Sequence, residues 1–282
     1  MEPLKVIIGG VAKETIHMQE SDLLSEICNK CGENKYFQHE AFGKMRVLPR
    51  QCACERADYE RRKQEDENKQ RQFRLERLRK YSMMDSHFEQ CRFENFKVDK
   101  HNEKLYKMAL NYCERWQDVK KNNVGFMLYG SPGTGKTYLS FCIANRLIEQ
   151  LVPVIAISSI GVLSRIKQTY SSYGKEAETD IINALKNASL LVLDDIGAEN
   201  DTPWVKEKLY EIIDSRYRDG KPMICTTNLT REQLKDKLTG QDGVTRTYDR
   251  LVEMCPPIEV VGPSRRIDAA SKKMEFIKDL LR

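Results

Sequence analysis

From about residue 86 onward, short apolar runs alternate with amphipathic stretches. The runs are four or five residues long and bounded by turn residues, which is typical of strands buried on both faces of a parallel sheet. The stretches between them have the periodicity of helices with one buried face. The pattern predicts an α/β fold with a central parallel sheet flanked by helices. The predicted strands are GFMLY (125–129), PVIAI (153–157), LLVLD (190–194), MICTT (223–227) and IEVV (258–261).

A stripe of apolar residues at spacings of three and four precedes the first of these strands. Such a stripe predicts a helix with one buried face, and we interpret it as core packing rather than as a binding site. Its members are Leu105, Met108, Ala109, Tyr112, Cys113, Trp116 and Val119.

Polar composition divides the chain into three predicted domains. Residues 1–54 contain a cluster of cysteines, and residues 86–282 carry the α/β pattern. Residues 55–85 are predicted to be a charged helical linker, because 55–80 are almost all charged or amide and contain no Gly or Pro. Charges of both signs favour a solvated helix over a basic DNA-binding arm.

The composition indicates a globular protein. The 282 residues are 32% charged and 40% hydrophobic, and the net charge of +5 permits nucleic-acid contact without arguing for it. No apolar run reaches the ~20 residues that a membrane span needs, and we see no secretory signal. Five of the nine cysteines are scattered along the chain, which is typical of reduced thiols rather than of a disulfide framework. We therefore expect a cytoplasmic protein with no membrane partner.

The stretch GSPGTGKTY lies between the first predicted strand and a helix, and Gly130, Gly135, Lys136 and Thr137 fit the phosphate-loop pattern. In such a loop, main-chain N–H groups and the helix N-terminus bind phosphate oxygens. Lys136 is expected to neutralise the β- and γ-phosphates of ATP, and the Thr137 hydroxyl to ligate Mg²⁺. The predicted nucleotide-binding residues are Gly130, Ser131, Pro132, Gly133, Thr134, Gly135, Lys136, Thr137 and Tyr138.

Acidic and amide residues end two later strands. LLVLDD carries Asp194 and Asp195 to the end of a central strand, where Asp194 is the expected magnesium partner and Asp195 the expected base for the attacking water. Asn228 follows MICTT and is expected to orient that water. An Asn in this position can also simply form a turn.

These segments together resemble AAA+ ATPases, and more closely the bacterial and phage helicase loaders of the DnaC/DnaI type. The resemblance covers roughly residues 88–268 and rests on GSPGTGKT, LLVLDDIGAE, CTTN, TYDRL and GPSRR, in that order. It implies that Arg250 is a finger that reaches a neighbouring subunit's ATP. It also implies that Arg266 senses the γ-phosphate in its own subunit. Arg265 and Arg246 are the near alternatives, and a finger acting in trans implies self-association.

The resemblance further implies single-stranded DNA binding by Lys167, Tyr170, Thr202 and Trp204. A Lys beside aromatic residues combines phosphate attraction with base stacking. The alternative, that Tyr170 and Trp204 are ordinary packing residues, remains open at this point.

The cysteines of CNKC and QCAC have spacings that suit a zinc site. Four ligands, Cys28, Cys31, Cys52 and Cys54, are preferred over a set in which His39 replaces Cys52 or Cys54. Free thiols are the alternative, and a redox pair is less favoured because no βαβ unit surrounds the C-x₂-C. Four protein ligands predict a structural zinc that helps a small unit to fold.

The resulting hypothesis is an ATPase that loads a replicative ring helicase onto single-stranded DNA, with the zinc region docking on the helicase. One rival is a transposition helper ATPase, which carries the same motifs. Another is a nucleotide-gated DNA-binding regulator with negligible turnover.

Overall fold

The structure is a computed structural model and describes residues 23–41, 43–79, 82, 86–171 and 178–281. The chain divides into two compact units, Met1–Lys69 and Gln70–Arg282. Within the described ranges, no helix has both the length and the apolar character needed to cross a membrane.

The first unit contains an antiparallel hairpin of two strands, β1 (Tyr36–Ala41) and β2 (Lys44–Pro49). Helix α1 (Ala53–Arg79) follows, so the charged zone is helical as the sequence predicts. Among the described residues of this unit, only Cys28 and Cys52 are buried. The hairpin and helix therefore enclose almost no apolar core of their own.

The second unit is built on a five-stranded sheet with the strand order β4-β5-β6-β3-β7, and all its pairings are parallel. The predicted parallel sheet is confirmed, with differences of one or two residues at strand ends. The last strand ends at Glu259 rather than at 261, although the Val260 main-chain N–H still donates to the Tyr129 carbonyl, at 2.8 Å. The strands are β3 (Phe126–Tyr129), β4 (Val154–Ser158), β5 (Leu190–Asp194), β6 (Met223–Thr227) and β7 (Pro257–Glu259).

Helices flank this sheet, and a short 3₁₀ helix (Phe93–Asn95) precedes it. They are α2 (Ser86–Gln90), α3 (Glu103–Glu114), α4 (Trp116–Lys121), α5 (Lys136–Glu149), α6 (Ser159–Ser171), α7 (Glu178–Asn187), α8 (Pro203–Arg218), α9 (Arg231–Leu238), α10 (Arg246–Met254) and α11 (Arg265–Leu280).

Two hydrophobic clusters cover the two faces of the sheet. Met127 joins one cluster, whereas its neighbours Phe126 and Leu128 join the other, because successive strand residues point to opposite faces. The apolar stripe predicted before the sheet is split at Arg115 between α3 and α4, and it packs into the second cluster. Its interpretation as core is confirmed.

Candidate functional site

The loop between β3 and α5 depends on glycine at its first position. Gly130 has φ +135, and a Cβ there would lie 2.6 Å from the carbonyl oxygen of Val260. Gly135 caps α5 with φ +97. The loop can therefore pack closely against Val260, the residue after β7, and α5 begins at Lys136 with its N-terminal N–H groups facing the loop.

Lys136 is buried at the base of this loop. Its ammonium group donates to the carbonyl oxygens of Gly130 and Ser131, at 2.7 and 2.8 Å. Burial lowers its pKa, while the carboxylates of Asp195 and Asp194 oppose that shift. The cation thus lies where the loop and the acidic strand end meet.

Asp194 ends β5, beside the end of β6. The Thr226 hydroxyl donates to its Oδ1 at 2.6 Å, and the Thr137 hydroxyl also bonds to it. Burial raises the pKa of Asp194, and these two hydrogen bonds oppose the shift. A carboxylate and a hydroxyl on adjacent elements are oxygen ligands of the kind that Mg²⁺ prefers.

Asp195 and Asn228 form a pair at the same edge of the sheet. The Asn228 amide donates to Asp195 Oδ1 at 2.7 Å, and the Asp195 main-chain N–H donates to Thr226 Oγ1 at 2.9 Å. Asp195 has φ +56, a left-handed conformation that is uncommon for a residue with a side chain. The turn after β5 therefore fixes the direction of this carboxylate.

These groups line one cavity of about 620 Å³. The lining includes residues of the phosphate loop, both aspartates and Asn228. It also includes Phe96 and Tyr138, whose rings lie 5.8 Å apart. The cavity thus offers both charged and aromatic groups to a ligand.

Six of the lining residues were not predicted as site residues from the sequence. Thr226 could have been found in the CTTN stretch that contains Asn228. Phe141 on α5 and Ser158 at the end of β4 lie on or next to predicted elements. The other three lie far from any motif in the sequence, and only the fold brings them to the cavity: Asn95, Phe96 and Lys97.

The predicted arginines separate into two groups. Arg265 and Arg266 line the cavity, and Arg265 also donates to Asp99 at 2.9 Å. Arg250 is not among the lining residues. It is on α10, where it forms an ion pair with Asp214 and donates to the Tyr210 hydroxyl at 2.7 Å.

Arg246, the near alternative to Arg250, begins the same helix and pairs with Asp242 at 2.5 Å. It is not among the residues that line the cavity.

Three predicted DNA-binding residues form a group that we call the aromatic cluster: Lys167, Tyr170 and Trp204. The Lys167 ammonium lies 4.9 Å from the centre of the Trp204 ring, and the Tyr170 and Trp204 rings are 6.4 Å apart. Tyr170 is 60% exposed. The cluster therefore combines a cation with aromatic surface that solvent can reach.

The fourth predicted residue, Thr202, has a local structural contact. Its hydroxyl accepts the Val205 main-chain N–H at 3.3 Å and so caps α8. Thr at a helix N-cap satisfies an otherwise unpaired donor.

The four cysteines of the first unit form a compact group, and their sulfur atoms all lie within 4.8 Å of one another. Main-chain N–H groups of Lys30 and Cys31 lower the pKa of the Cys28 thiol to about 6. His39 is exposed on β1, where it is opposite Arg46 and outside this group. The four-cysteine arrangement is compatible with a tetrahedral zinc site.

The sheet order, the glycine-rich loop and the acidic strand end define a P-loop protein of the AAA+ class. A family model described as "IstB-like ATP binding protein" matches residues 45–273. The chain belongs to this ATP-binding family.

Two relatives extend the comparison. The chain is 31% identical over 162 residues to the replicative helicase loader DnaC of Escherichia coli strain K12, which is 57% of this chain and 62% of that protein. It is 29% identical over 180 residues to the E. coli protein YdaV, which is 64% of this chain and 71% of YdaV. The match therefore spans less than two thirds of the DnaC length.

Solved structures agree on the fold. A crystal structure of DnaI has a TM-score of 0.54 and 26% identity, and the match covers 65% of this chain and 95% of that one. A crystal structure of the DnaC helicase loader has a TM-score of 0.54 and 21% identity over 63% of this chain and all of that one (100%).

Proposed function

We propose that the protein is an ATPase that loads a replicative ring helicase onto single-stranded DNA. The observation that carries the proposal is the cavity that unites Lys136, Asp194 and Asp195, in a chain similar to a helicase loader over its ATP-binding region. A role at replicating DNA would locate the protein in the cytoplasm.

The polar groups that line the cavity would hold the phosphates of ATP. Main-chain N–H groups at the start of α5 face the anion, and Lys136 would exchange its two carbonyl acceptors for phosphate oxygens. Thr137 and Asp194 would hold Mg²⁺, which neutralises charge on the phosphates. The rings of Phe96 and Tyr138, which also line the cavity, suit the base of the nucleotide.

Asp195 would accept a proton from the attacking water. The Asn228 amide, which donates to Asp195 Oδ1, is close enough to orient that water toward the γ-phosphate. A positioned general base contributes about 10²–10⁴-fold to a rate.

Self-association would complete the site. Arg266 lines its own cavity and would contact the γ-phosphate there. Arg250 lies elsewhere, and Asp214 and Tyr210 hold it on α10. In an oligomer it would supply a cation to the ATP of a neighbour.

Single-stranded DNA would bind at the aromatic cluster. Lys167 would contact phosphate, and Tyr170 and Trp204 would stack on bases. Thr202 would contribute mainly by capping α8, which positions Trp204 in the first turn of that helix.

The first unit would bind one Zn²⁺ through Cys28, Cys31, Cys52 and Cys54, and would dock on the helicase. With four protein ligands the metal has no open position, so its role is structural. Domain boundaries at 54 and 85 would separate docking on the helicase from ATP hydrolysis.

Asp195→Asn tests the catalytic assignment. ATP turnover is expected to fall at least about 100-fold, because the variant has no base, while binding of a fluorescent ATP analogue stays unchanged. Asp236→Asn, an exposed carboxylate on α9, is the matched control and should keep wild-type turnover. Unchanged turnover in Asp195→Asn would contradict the assignment.

Pull-down with a purified ring helicase separates loader from transposition helper. The loader is expected to retain the helicase with ATP present, and to raise the amount of helicase bound to a single-stranded DNA circle. A protein that binds DNA in an ATP-dependent way without turnover and without helicase would instead be the nucleotide-gated regulator.

A further inference from the structure

Glu199 is a buried carboxylate that the proposed hydrolysis does not use. It lies in the loop between β5 and α8, and the residue is 5% exposed. The Gly197 main-chain N–H donates to both of its oxygens, at 3.1 and 3.0 Å. The Lys237 ammonium bonds to the main-chain carbonyl of Glu199, at 2.8 Å, and not to its carboxylate. A carboxylate is costly to bury unless hydrogen bonds satisfy it, so the neutral N–H of Gly197 helps to hold it in place.

Ser159 connects this carboxylate to the proposed base. Its hydroxyl oxygen lies 2.8 Å from Glu199 Oε2 and 2.9 Å from the main-chain carbonyl oxygen of Asp195. A serine hydroxyl has a single proton to donate. It can therefore donate to the Glu199 carboxylate or to the Asp195 carbonyl, but not fully to both.

The turn that these contacts hold is conformationally demanding. The turn consists of residues 195–197. Asp195 has φ +56 and Gly197 has φ +97, so two of these three residues have a left-handed main-chain conformation. Glu199 binds the N–H at one end of the turn, and Ser159 reaches the carbonyl at the other. A left-handed residue with a side chain persists only where its surroundings fix it. The direction of the Asp195 carboxylate therefore depends on both contacts.

The same two residues begin the segments that carry the aromatic cluster. Ser159 is the first residue of α6, which also contains Lys167 and Tyr170. Glu199 precedes α8, whose first turn contains Trp204. A ligand that moves α6 relative to α8 changes the distance between Ser159 and Glu199. It thereby changes the hydrogen bonds that fix the turn at Asp195.

We propose that Glu199 is a positioning residue that couples single-stranded DNA at the aromatic cluster to the orientation of Asp195. The inference rests on the proposed function, since it assumes ATP hydrolysis by Asp195 and DNA binding at this cluster. DNA that draws the cluster together shifts the Ser159 hydroxyl between its two acceptors and aligns the base.

Glu199→Gln in the full-length protein tests the coupling, because it keeps the size of the side chain and removes one carboxylate oxygen. Steady-state ATP turnover is measured with and without oligo-dT, alongside binding of a fluorescent ATP analogue and of labelled oligo-dT. In the presence of DNA, kcat is expected to be about tenfold below wild type, as small misplacements of a catalytic group produce. Affinities for nucleotide and DNA are expected to change by less than about twofold.

Ser159→Ala is the second variant and is expected to lose stimulation by DNA in the same way. Glu207→Gln is the matched control, because Glu207 is an exposed carboxylate on α8. It should keep wild-type stimulation. Assays run well below the melting temperature of each variant separate positioning from stability.

The outcomes distinguish this inference from the proposed function. Wild-type protein without turnover under any condition would contradict both. Wild-type turnover that DNA stimulates, with equal stimulation in Glu199→Gln, would contradict the coupling alone. Wild-type turnover that does not respond to DNA would also overturn the coupling and leave the ATPase in place.

Discussion

The two units of the chain differ in what stabilises their folds. In the described part of the first unit, the buried side chains are Cys28 and Cys52, and the hairpin exposes apolar residues such as Met45 at 55%. In the second unit, two hydrophobic clusters cover both faces of a five-stranded sheet. The described residues of the first unit bury too little apolar surface to stabilise it, and a metal ion bound by four thiolates can supply the missing folding free energy.

The two units also differ in what their polar sites contribute to folding. The cysteine group would be the reason that its unit folds. The nucleotide site, by contrast, is placed on a scaffold that packing already stabilises. There the burial that shapes the site also raises the pKa of Asp194, so the site is expected to cost stability.

Metal removal has the largest expected effect. Cys52→Ser, or a strong chelator, should unfold the first unit, because structural zinc supplies about 10 kcal/mol or more in small zinc domains. Metal analysis should find one zinc per chain in the wild type and none in the variant. Hydrogen exchange at residues 36–49 should lose protection, while the melting transition of the second unit keeps its midpoint.

His39→Ala provides the control for this prediction. It should keep one zinc, because His39 lies outside the sulfur group. Loss of zinc in this variant would replace the four-cysteine set with one that includes His39.

Truncation of a core side chain should come next. Ile155 on β4 is fully buried, and Ile155→Ala is expected to lower the free energy of unfolding of the second unit by about 3 kcal/mol through lost packing and a residual cavity. Urea unfolding monitored by circular dichroism measures it. Met45→Ala in the hairpin should cost less than about 0.5 kcal/mol. If Met45→Ala lowered the free energy of unfolding about as much as Ile155→Ala, the two units would not differ in how much core packing stabilises them.

Asp194→Asn should have the smallest effect, and with the opposite sign. Burial raises the pKa of Asp194, so the folded protein binds this proton more readily than the unfolded chain. At a pH above the raised pKa, the ionised carboxylate therefore lowers the free energy of unfolding. This destabilisation disappears as the pH falls below the pKa that Asp194 has in the unfolded chain. The variant is expected to gain up to about 1 kcal/mol at neutral pH.

Urea unfolding at a series of pH values from about 7 down to about 4 checks this sign, because the gain should shrink as the pH approaches the pKa of an Asp in the unfolded chain. Binding of Mg²⁺ with nucleotide should weaken at the same time. A loss of stability at neutral pH would mean that the bonds from Thr226 and Thr137 outweigh the burial of the charge.

Much of the second unit was predictable from the sequence. Continuous apolar runs identified all five strands because a parallel sheet buries both faces of each strand. The phosphate loop was predictable because a tight turn around an anion restricts residue types over adjacent positions. The cysteine group was predictable for the same reason, since C-x₂-C and C-x-C each place two ligands locally.

Contacts between distant segments were not predictable. Phe96 and Tyr138 belong to one cavity wall although no local pattern links them. Thr202 was predicted to contact DNA, and its helix cap became visible only with the geometry of the main chain. The ion pair of Arg250 with Asp214 likewise joins α10 to α8.

The sequence by itself determined the strands, the phosphate loop, the acidic strand end and the four thiols, because each is specified by residues close together in the chain. Tertiary structure alone decided what surrounds them. It set the left-handed turn at Asp195, the carboxylate of Glu199 against Ser159, and the aromatic part of the cavity lining. These depend on how helices and strands pack, and packing geometry is a property of the whole fold rather than of any local segment.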